Sequence, residues 1–237
     1  TGVVENRNDP AKLGRVQVRC IGYHTEDLNE IPSADLPWAH VMHPVTDPSM
    51  QGLGNSPSFL TEGTWVVGFF RDANEKQQPV IMGSLPGVPA SAADKSKGFN
   101  DPNGKYPGTI SHSGHTTGES DVSRLARGSD AENHDSLITR RGFREELIDT
   151  ATKPHLSNVS TQSSAEKRST FNEPHPRGVA DTGTATGQYP FNHVHESESG
   201  HIQEIDDTPG GERLHRQHKS GTYEEIVADG TKTVKVV

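Results

Sequence analysis

Tyr189–Val237 reads YPFNHVHESESGHIQEIDDTPGGERLHRQHKSGTYEEIVADGTKTVKVV, and it contains a loose internal repeat. Ser199-Gly200-His201-Ile202-Gln203-Glu204-Ile205 is echoed by Ser220-Gly221-Thr222-Tyr223-Glu224-Glu225-Ile226. Each copy opens on a Ser-Gly corner, runs through extended residues and meets a turn signal, Asp207-Thr208-Pro209-Gly210-Gly211 or Asp229-Gly230. Glycine there permits backbone angles that other residues avoid. From Thr231 onward the chain alternates, with Lys232, Val234 and Val236 on one side and Thr231, Thr233, Lys235 and Val237 on the other. Short strands in a recurring unit predict β-structure built by repetition. Each strand brings one or two apolar residues, too few to bury a face within one chain. Such a ribbon gains a core by winding with copies of itself. The candidate shared core is Ile202, Ile205, Leu214, Tyr223, Ile226, Val234 and Val236.

Composition points the same way. Of 237 residues, 29% are hydrophobic and 5% aromatic, against roughly 45–50% apolar in an average globular chain. A monomer of this length would struggle to offset its chain entropy with so little apolar surface. That leaves partial disorder, an oligomer, or segments laid over another protein. The formal net charge of −9 lacks the basic stripe of a nucleic-acid binder. There is no apolar run near the roughly 18 residues a membrane-spanning helix needs. A single cysteine excludes an intrachain disulfide. The chain has no initiator methionine and stops within an alternating strand, so a ribbon continuing past Val237 is expected.

Residues 1–90 read as the one conventional domain. Gly2-Val3-Val4 starts a strand and Asn8-Asp9-Pro10 turns it. In Gly14–Cys20 the residues Val16, Val18 and Cys20 are expected inward and Arg15, Gln17 and Arg19 outward. Leu36–Val45 is a third strand. Glu62–Phe70, nearly all apolar, is a fourth, expected to be buried on both sides, and Pro79–Gly83 closes the set. Five short strands with glycine-rich turns predict a small closed barrel of the OB type, with a core of Val16, Val18, Cys20, Trp38, Val67, Phe69 and Ile81. OB barrels also bind nucleic acid on a strand face, which takes exposed aromatics above a basic groove. Trp65, Phe69 and Phe70 instead sit in a run apolar enough to be core.

Residues 91–188 change character: Ser, Thr, Gly, Asp, His and Pro dominate. Gly98–Pro107 is a turn-rich anchor with two aromatics. Two short helical patterns follow, Ser120–Arg127 and Gly142–Thr150. A structureless stretch this long is foreign to a compact domain, which predicts an extended arm wrapped over neighbouring subunits. Residues 189–237 are then the start of the ribbon. The fold class expected is mainly β: barrel, irregular arm, intertwined β-ribbon.

Two stretches resemble a known family. The pattern E-x-x-x-G-H-x-x-x-I-D-D-T-x-G-x-E-R, Glu196 to Arg213, resembles the junction at which the central spike proteins of contractile-tailed bacteriophages enter their trimeric β-helix. The related type VI secretion spikes share that junction. The N-terminal G-V-V-E-x-R-x-D-P-x-K-x-G-R-V-x-V-R, the L-P-W at Leu36 and the E-G-T-x-V-x-G-x-F from Glu62 resemble the same family's OB domain. The resemblance implies a homotrimer in the virion tail baseplate. It would dock on the hub ring protein at the end of the tail tube, carry a spike-tip protein distally, and pierce the host envelope on sheath contraction. No cofactor and no nucleic-acid partner is implied. A type VI-like injection spike is the alternative within the same physics.

Some members of that family carry a lysozyme-like domain. Its two carboxylates would need a helical domain with a proper core. Glu145, Glu146 and Asp149 instead fit the solvated face of a short helix, in a stretch too poor in apolar residues to raise an acid's pKa by burial. No catalytic residue is assigned and a non-enzyme is expected; a cell-wall hydrolase with a degenerate middle segment is the competing class. Among thirteen histidines, His193 and His195 are weak metal candidates, since residues two apart on a strand share a side and three chains would bring three such pairs to one axis. The family's histidine-bound metals lie at the distal tip, so no metal is assigned here. His215 and His218 face opposite ways on a strand, and His112 and His115 lie in the arm. Tyr189-Pro190-Phe191 is either an aromatic collar around three chains or an ordinary turn. Asp206, Asp207, Glu212 and Arg213 read as solvated corner charges, with interchain ion pairs as the alternative.

Overall fold

The computed structural model describes residues 1–55, 57–108, 117–118, 120–127, 188–199, 201–218 and 222–236. The chain divides into two compact units, Thr1–Asp121 and Val122–Val237.

The first unit is built from β1 (Gly2–Asn6), β2 (Val16–Cys20), β3 (Trp38–Val41), β4 (Trp65–Phe70) and β5 (Pro79–Ser84). They close into a barrel in the order β1-β2-β3-β5-β4, an OB-type barrel. All pairings are antiparallel except β3 with β5, which run parallel through His40↔Val80 and Val41↔Ile81. Val4, Val16, Val18, Cys20, Ala39, Val66 and Ile81 form the core, with Val41, Leu60 and Phe70 packed at its edge. Burial pushes the Cys20 thiol pKa up, as befits a packed thiol. The register of β4 with β5 shifts between Val67 and Gly68, which leaves Met82 of β5 as the extra residue of a bulge where the sheet bends around the barrel. A Cβ at Gly68 would lie 1.9 Å from the Val80 carbonyl oxygen, so the bend needs glycine.

The inside of β2 follows its alternation; the outside does not. Gln17 and Arg19, expected outward, are 2% and 0% exposed. Chain segments cover the outer wall of the β1–β2 pair. Gln17 Nε2 donates to the Ala34 and Leu36 carbonyls at 2.9 and 2.6 Å, and Arg19 pairs with Glu5, Nε to Oε1 at 2.7 Å. Arg15 stays at the surface, its Nη2 2.8 Å from Asp9 Oδ1 and its guanidinium 5.5 Å from the half-buried Trp38 ring. The Arg15 hydrogen bond holds the Asp9 carboxyl well below the usual carboxylate range.

Strand β4 departs from two-sided burial. Val66 points inward at 2% exposure, whereas Trp65, Val67 and Phe69 are exposed in the single chain. A continuous apolar run was read as buried on both faces, but the alternation of one barrel strand sends every other residue outward. With Met42 and Met82, these three form an apolar outer surface across β3, β5 and β4. Exposed aromatics are one half of a nucleic-acid-binding strand face. The basic groove is the other half, and strands β3, β4 and β5 contain no Lys or Arg.

His24 Nδ1 accepts the Cys20 amide at 2.9 Å, so that nitrogen carries no proton. Burial, and secondarily the Arg19 charge, push its pKa below the ordinary 6.5. The folded chain therefore binds fewer protons here than the unfolded one. This contribution is complete above about pH 6.5 and is lost as the pH falls from there towards the lower folded value. The urea midpoint of the barrel, followed by the fluorescence of Trp38 and Trp65, should fall between pH 7.5 and pH 5.5. His24→Gln should flatten that slope; an equal slope in the variant would rule His24 out as its source.

The second unit is a five-stranded antiparallel meander, β6 (Asn192–Glu196), β7 (Ile202–Asp206), β8 (Arg213–Gln217), β9 (Tyr223–Val227) and β10 (Lys232–Lys235). One helical turn, Arg124–Arg127, belongs to the same unit and packs Leu125 against Ile202 and Val194. The expected helical pattern Gly142–Thr150 lies outside the described residues, as do His112, His115, Glu145, Glu146 and Asp149.

Candidate functional site

The two sides of the meander differ in burial, and the register shows which residues share each. His193, Ile205, Leu214, Ile226 and Lys232 are direct cross-strand partners in one row. The adjacent row on the same side is His195, Gln203, Arg216, Glu224 and Val234. This side is open in the single chain: Ile205 is 44% exposed, Leu214 52% and Ile226 37%. Three branched aliphatic side chains thus stand side by side, in contact with water, on adjacent strands. Glu224 lies 3.5 Å from both Arg216 and Lys232, exposed pairs of little energetic weight.

The opposite side carries charge and is buried. Glu204, Asp206, Arg213, His215, Gln217 and Glu225 are each under 9% exposed. Arg213 sits among the carboxylates, with Nη2 2.5 Å from Glu204 Oε2 and 3.9 Å from Asp206 Oδ2, and Nη1 3.4 Å from Glu225 Oε2. His215 Nδ1 is 2.8 Å from the same Glu225 oxygen, and its Nε2 is 3.3 Å from Gln217 Oε1. Asp206 Oδ1 also accepts from the Thr208 hydroxyl at 2.6 Å, which shapes the β7–β8 turn around Gly210 at φ +76°. Charge alternates on one side of β7 and β8 because residues two apart share a face. The network therefore fixes register: sliding β8 by one residue would bring Leu214 opposite Glu204. Its carboxylates converge on a guanidinium, an arrangement that holds strands together.

The proposed shared-core residues are split between these sides. Ile202 and Tyr223 lie on the buried side, at 3% and 2% exposure, while Ile205, Leu214, Ile226 and Val234 lie on the open side, with Val236 exposed beyond β10. Asp206 and Arg213, read as solvated corner charges, are buried and paired within the chain, because alternation carries them under the sheet. Asp207 remains at the corner, with its side chain 65% exposed. His193 and His195 stand on the open side, His193 Nε2 3.7 Å from Asp207 Oδ2. Among the described residues no group of three or more His, Cys, Asp or Glu side chains is arranged to hold a metal ion. The His218 ring lies against that of His201, 4.5 Å between ring centres and tilted by 52°. Tyr189 and Phe191 form an exposed turn in the single chain. The sequence reading gave no role to Glu204, Gln217 and Glu225, and it weighed His215 only as a partner of His218. In β7 and β8 the signal was the i, i+2 spacing of Glu204 with Asp206 and of Arg213, His215 and Gln217, while Glu225 is the one charged residue on its side of β9.

Comparison with known proteins adds the family. Residues 22–168 match the family described as the Gp5 N-terminal OB domain. The match starts beyond β2, so the geometry is what places β1 and β2 in the barrel. The chain is 42% identical over 245 residues to "Protein Gp5" of Vibrio phage KVP40, covering 100% of this chain and 57% of that protein. It is 41% identical over 111 residues to the pre-baseplate central spike protein Gp5 of Enterobacteria phage T4, covering 45% of this chain and 19% of that one. The chain thus spans a little over half the length of the first relative, and its match with the second covers about a fifth of that protein.

Proposed function

From the premise that the chain belongs to the Gp5 OB-domain family, we propose that it is the central spike of a phage tail baseplate and acts mechanically rather than by catalysis. The observation that carries this reading is the open apolar row Ile205–Leu214–Ile226 on a sheet whose other side is already filled. A water-exposed apolar row on adjacent strands is a surface that needs a partner. In a homotrimer each chain would turn this row towards the other two, making a shared core of Ile205, Leu214 and Ile226 with Val234 and Val236 further along. The edge strands β6 and β10 would pair with neighbouring chains, which removes the free edges a lone meander presents. Winding of that kind gives a β-helical needle that is stiff and slow to unfold.

The barrel would sit on the hub ring protein. The outer apolar surface of Trp65, Val67, Phe69 and Met82 supports a protein contact there. A spike-tip protein would cap the far end of the needle, and the assembly would be driven through the host envelope. Wall digestion would belong to another protein, and a peptidoglycan zymogram of the isolated chain should stay blank.

Light scattering of the purified chain, with and without residues 189–237, tests the reading. The full chain should have the mass of a trimer and the truncated one that of a monomer. A monomer in both cases would leave the apolar row without a partner and end the spike proposal.

A further inference from the structure

Beyond the row of His195 and Gln203, the open side of the C-terminal sheet ends on a further cross-strand pair. His201 stands one residue before β7 and His218 one residue after β8, opposite each other when the pairing Ile202↔Gln217 is continued by one step. Backbone hydrogen bonds carry the ladder through both positions. The Ser197 amide donates to the His201 carbonyl, and the His218 amide to the Thr222 carbonyl, each at 2.8 Å. Alternation puts His201 on the side of Gln203 and Ile205, and His218 on the side of Leu214 and Arg216. The two rings meet there, 4.5 Å between centres and inclined by 52°, with His201 half-buried and His218 exposed.

We propose that His201 and His218 form a two-imidazole site for a divalent metal ion of the zinc, copper or nickel class. Three observations carry this. The spacing is close to that of a chelate: two imidazoles on one tetrahedral zinc, with Zn–N of about 2.0–2.1 Å, hold their ring centres roughly 5 Å apart. The tilt departs from face-to-face stacking, so the rings need only turn about their side-chain bonds to aim one nitrogen each at a shared point. The strands themselves stay where they are. The third observation is the electrostatic setting. Arg216, two residues before His218 on the same side, is paired with Glu224 at 3.5 Å, which offsets its repulsion of a cation. Imidazole nitrogen selects this class of ion, whereas calcium and magnesium take oxygen ligands. Among the described residues no third His, Cys, Asp or Glu joins the pair, so water completes the coordination and the ion exchanges readily. Bound there, it ties the start of β7 to the end of β8, at the end of that strand pair away from the 207–211 turn. The site needs one chain only and stands whether or not the spike reading holds.

Zinc chloride titrated into the purified full chain at pH 7.5 tests it, read by the ring-nitrogen resonances of the histidines. Those of His201 and His218 should shift together as zinc is added. Because the ion binds the folded sheet, zinc should also raise the urea midpoint of its circular dichroism, and calcium should not. His201→Gln and His218→Gln should each abolish the rise in midpoint, while His193→Gln, elsewhere on the open side, keeps it. A rise that survives both substitutions overturns the proposal. Shifts confined to other histidines, no shifts, or a calcium effect equal to that of zinc overturn it too. The resonances of the native chain decide the matter even if a variant folds poorly.

Discussion

Leu214→Asp should turn the assembled protein into monomers while leaving the sheet of each chain intact. Leu214 is the middle member of the Ile205–Leu214–Ile226 row and is 52% exposed in the single chain, so a polar replacement costs the monomer little. In an assembly the same position is covered. Burying a leucine contributes about 1.5–3 kcal/mol per chain, three times over in a trimer. An aspartate there would forfeit that and also leave a carboxylate without water or partner, a penalty of further kcal/mol. Light scattering at micromolar concentration should report monomer, with the far-UV circular dichroism of the native chain retained. Leu53→Asp, at a leucine in a barrel loop that is more exposed still (66%), is the control and should keep the assembled mass. A Leu214→Asp chain that keeps it too would show that the row is no interface.

How far the sequence disclosed this architecture depended on where the information lies. The inner face of β2 was legible because Val16, Val18 and Cys20 alternate with polar residues, and alternation is local. The fate of Gln17 and Arg19 was not, because what covers them is the loop after His24 and the turn at Gly98 and Phe99, distant in sequence. Alternation says which residues share a side, never which side something else will cover. The same ambiguity misled in β4, where Val67 and Phe69 follow the alternation outward despite their apolarity. In the C-terminal sheet it governs the site itself. Arg213, His215 and Gln217 share a side with Glu204 and Glu225, a fact readable from spacing. That this polar side is the filled one within a chain reverses the usual assignment of apolar residues inward. The reversal has physical sense if the apolar side is reserved for other chains, which is what the Leu214 experiment asks.

The filled side yields the second large effect. Arg213→Met should unfold the C-terminal sheet at much lower denaturant than the native chain needs. Arg213 is the guanidinium shared by Glu204, Asp206 and Glu225, with its side chain 4% exposed. Removing one partner of a buried ion pair costs about 3–5 kcal/mol, because the charges left behind stay desolvated. Here Glu225 would keep His215 and Asp206 would keep the Thr208 amide and hydroxyl, while Glu204 would lose the guanidinium it pairs with. Both tryptophans, Trp38 and Trp65, lie in the barrel, so circular dichroism lost without a change in tryptophan fluorescence reports the sheet alone. Its urea midpoint should drop by more than about 1 M. Arg213→Lys should fall between, since an ammonium cannot bridge two carboxylates in a fixed fork. Adding Glu204→Leu and Glu225→Leu to Arg213→Met should restore part of the loss, as apolar replacements of whole buried ion networks often do. If Arg213→Met left the sheet's midpoint unchanged, the network would be incidental to the fold, and the register of β7, β8 and β9 would have to be set by their turns.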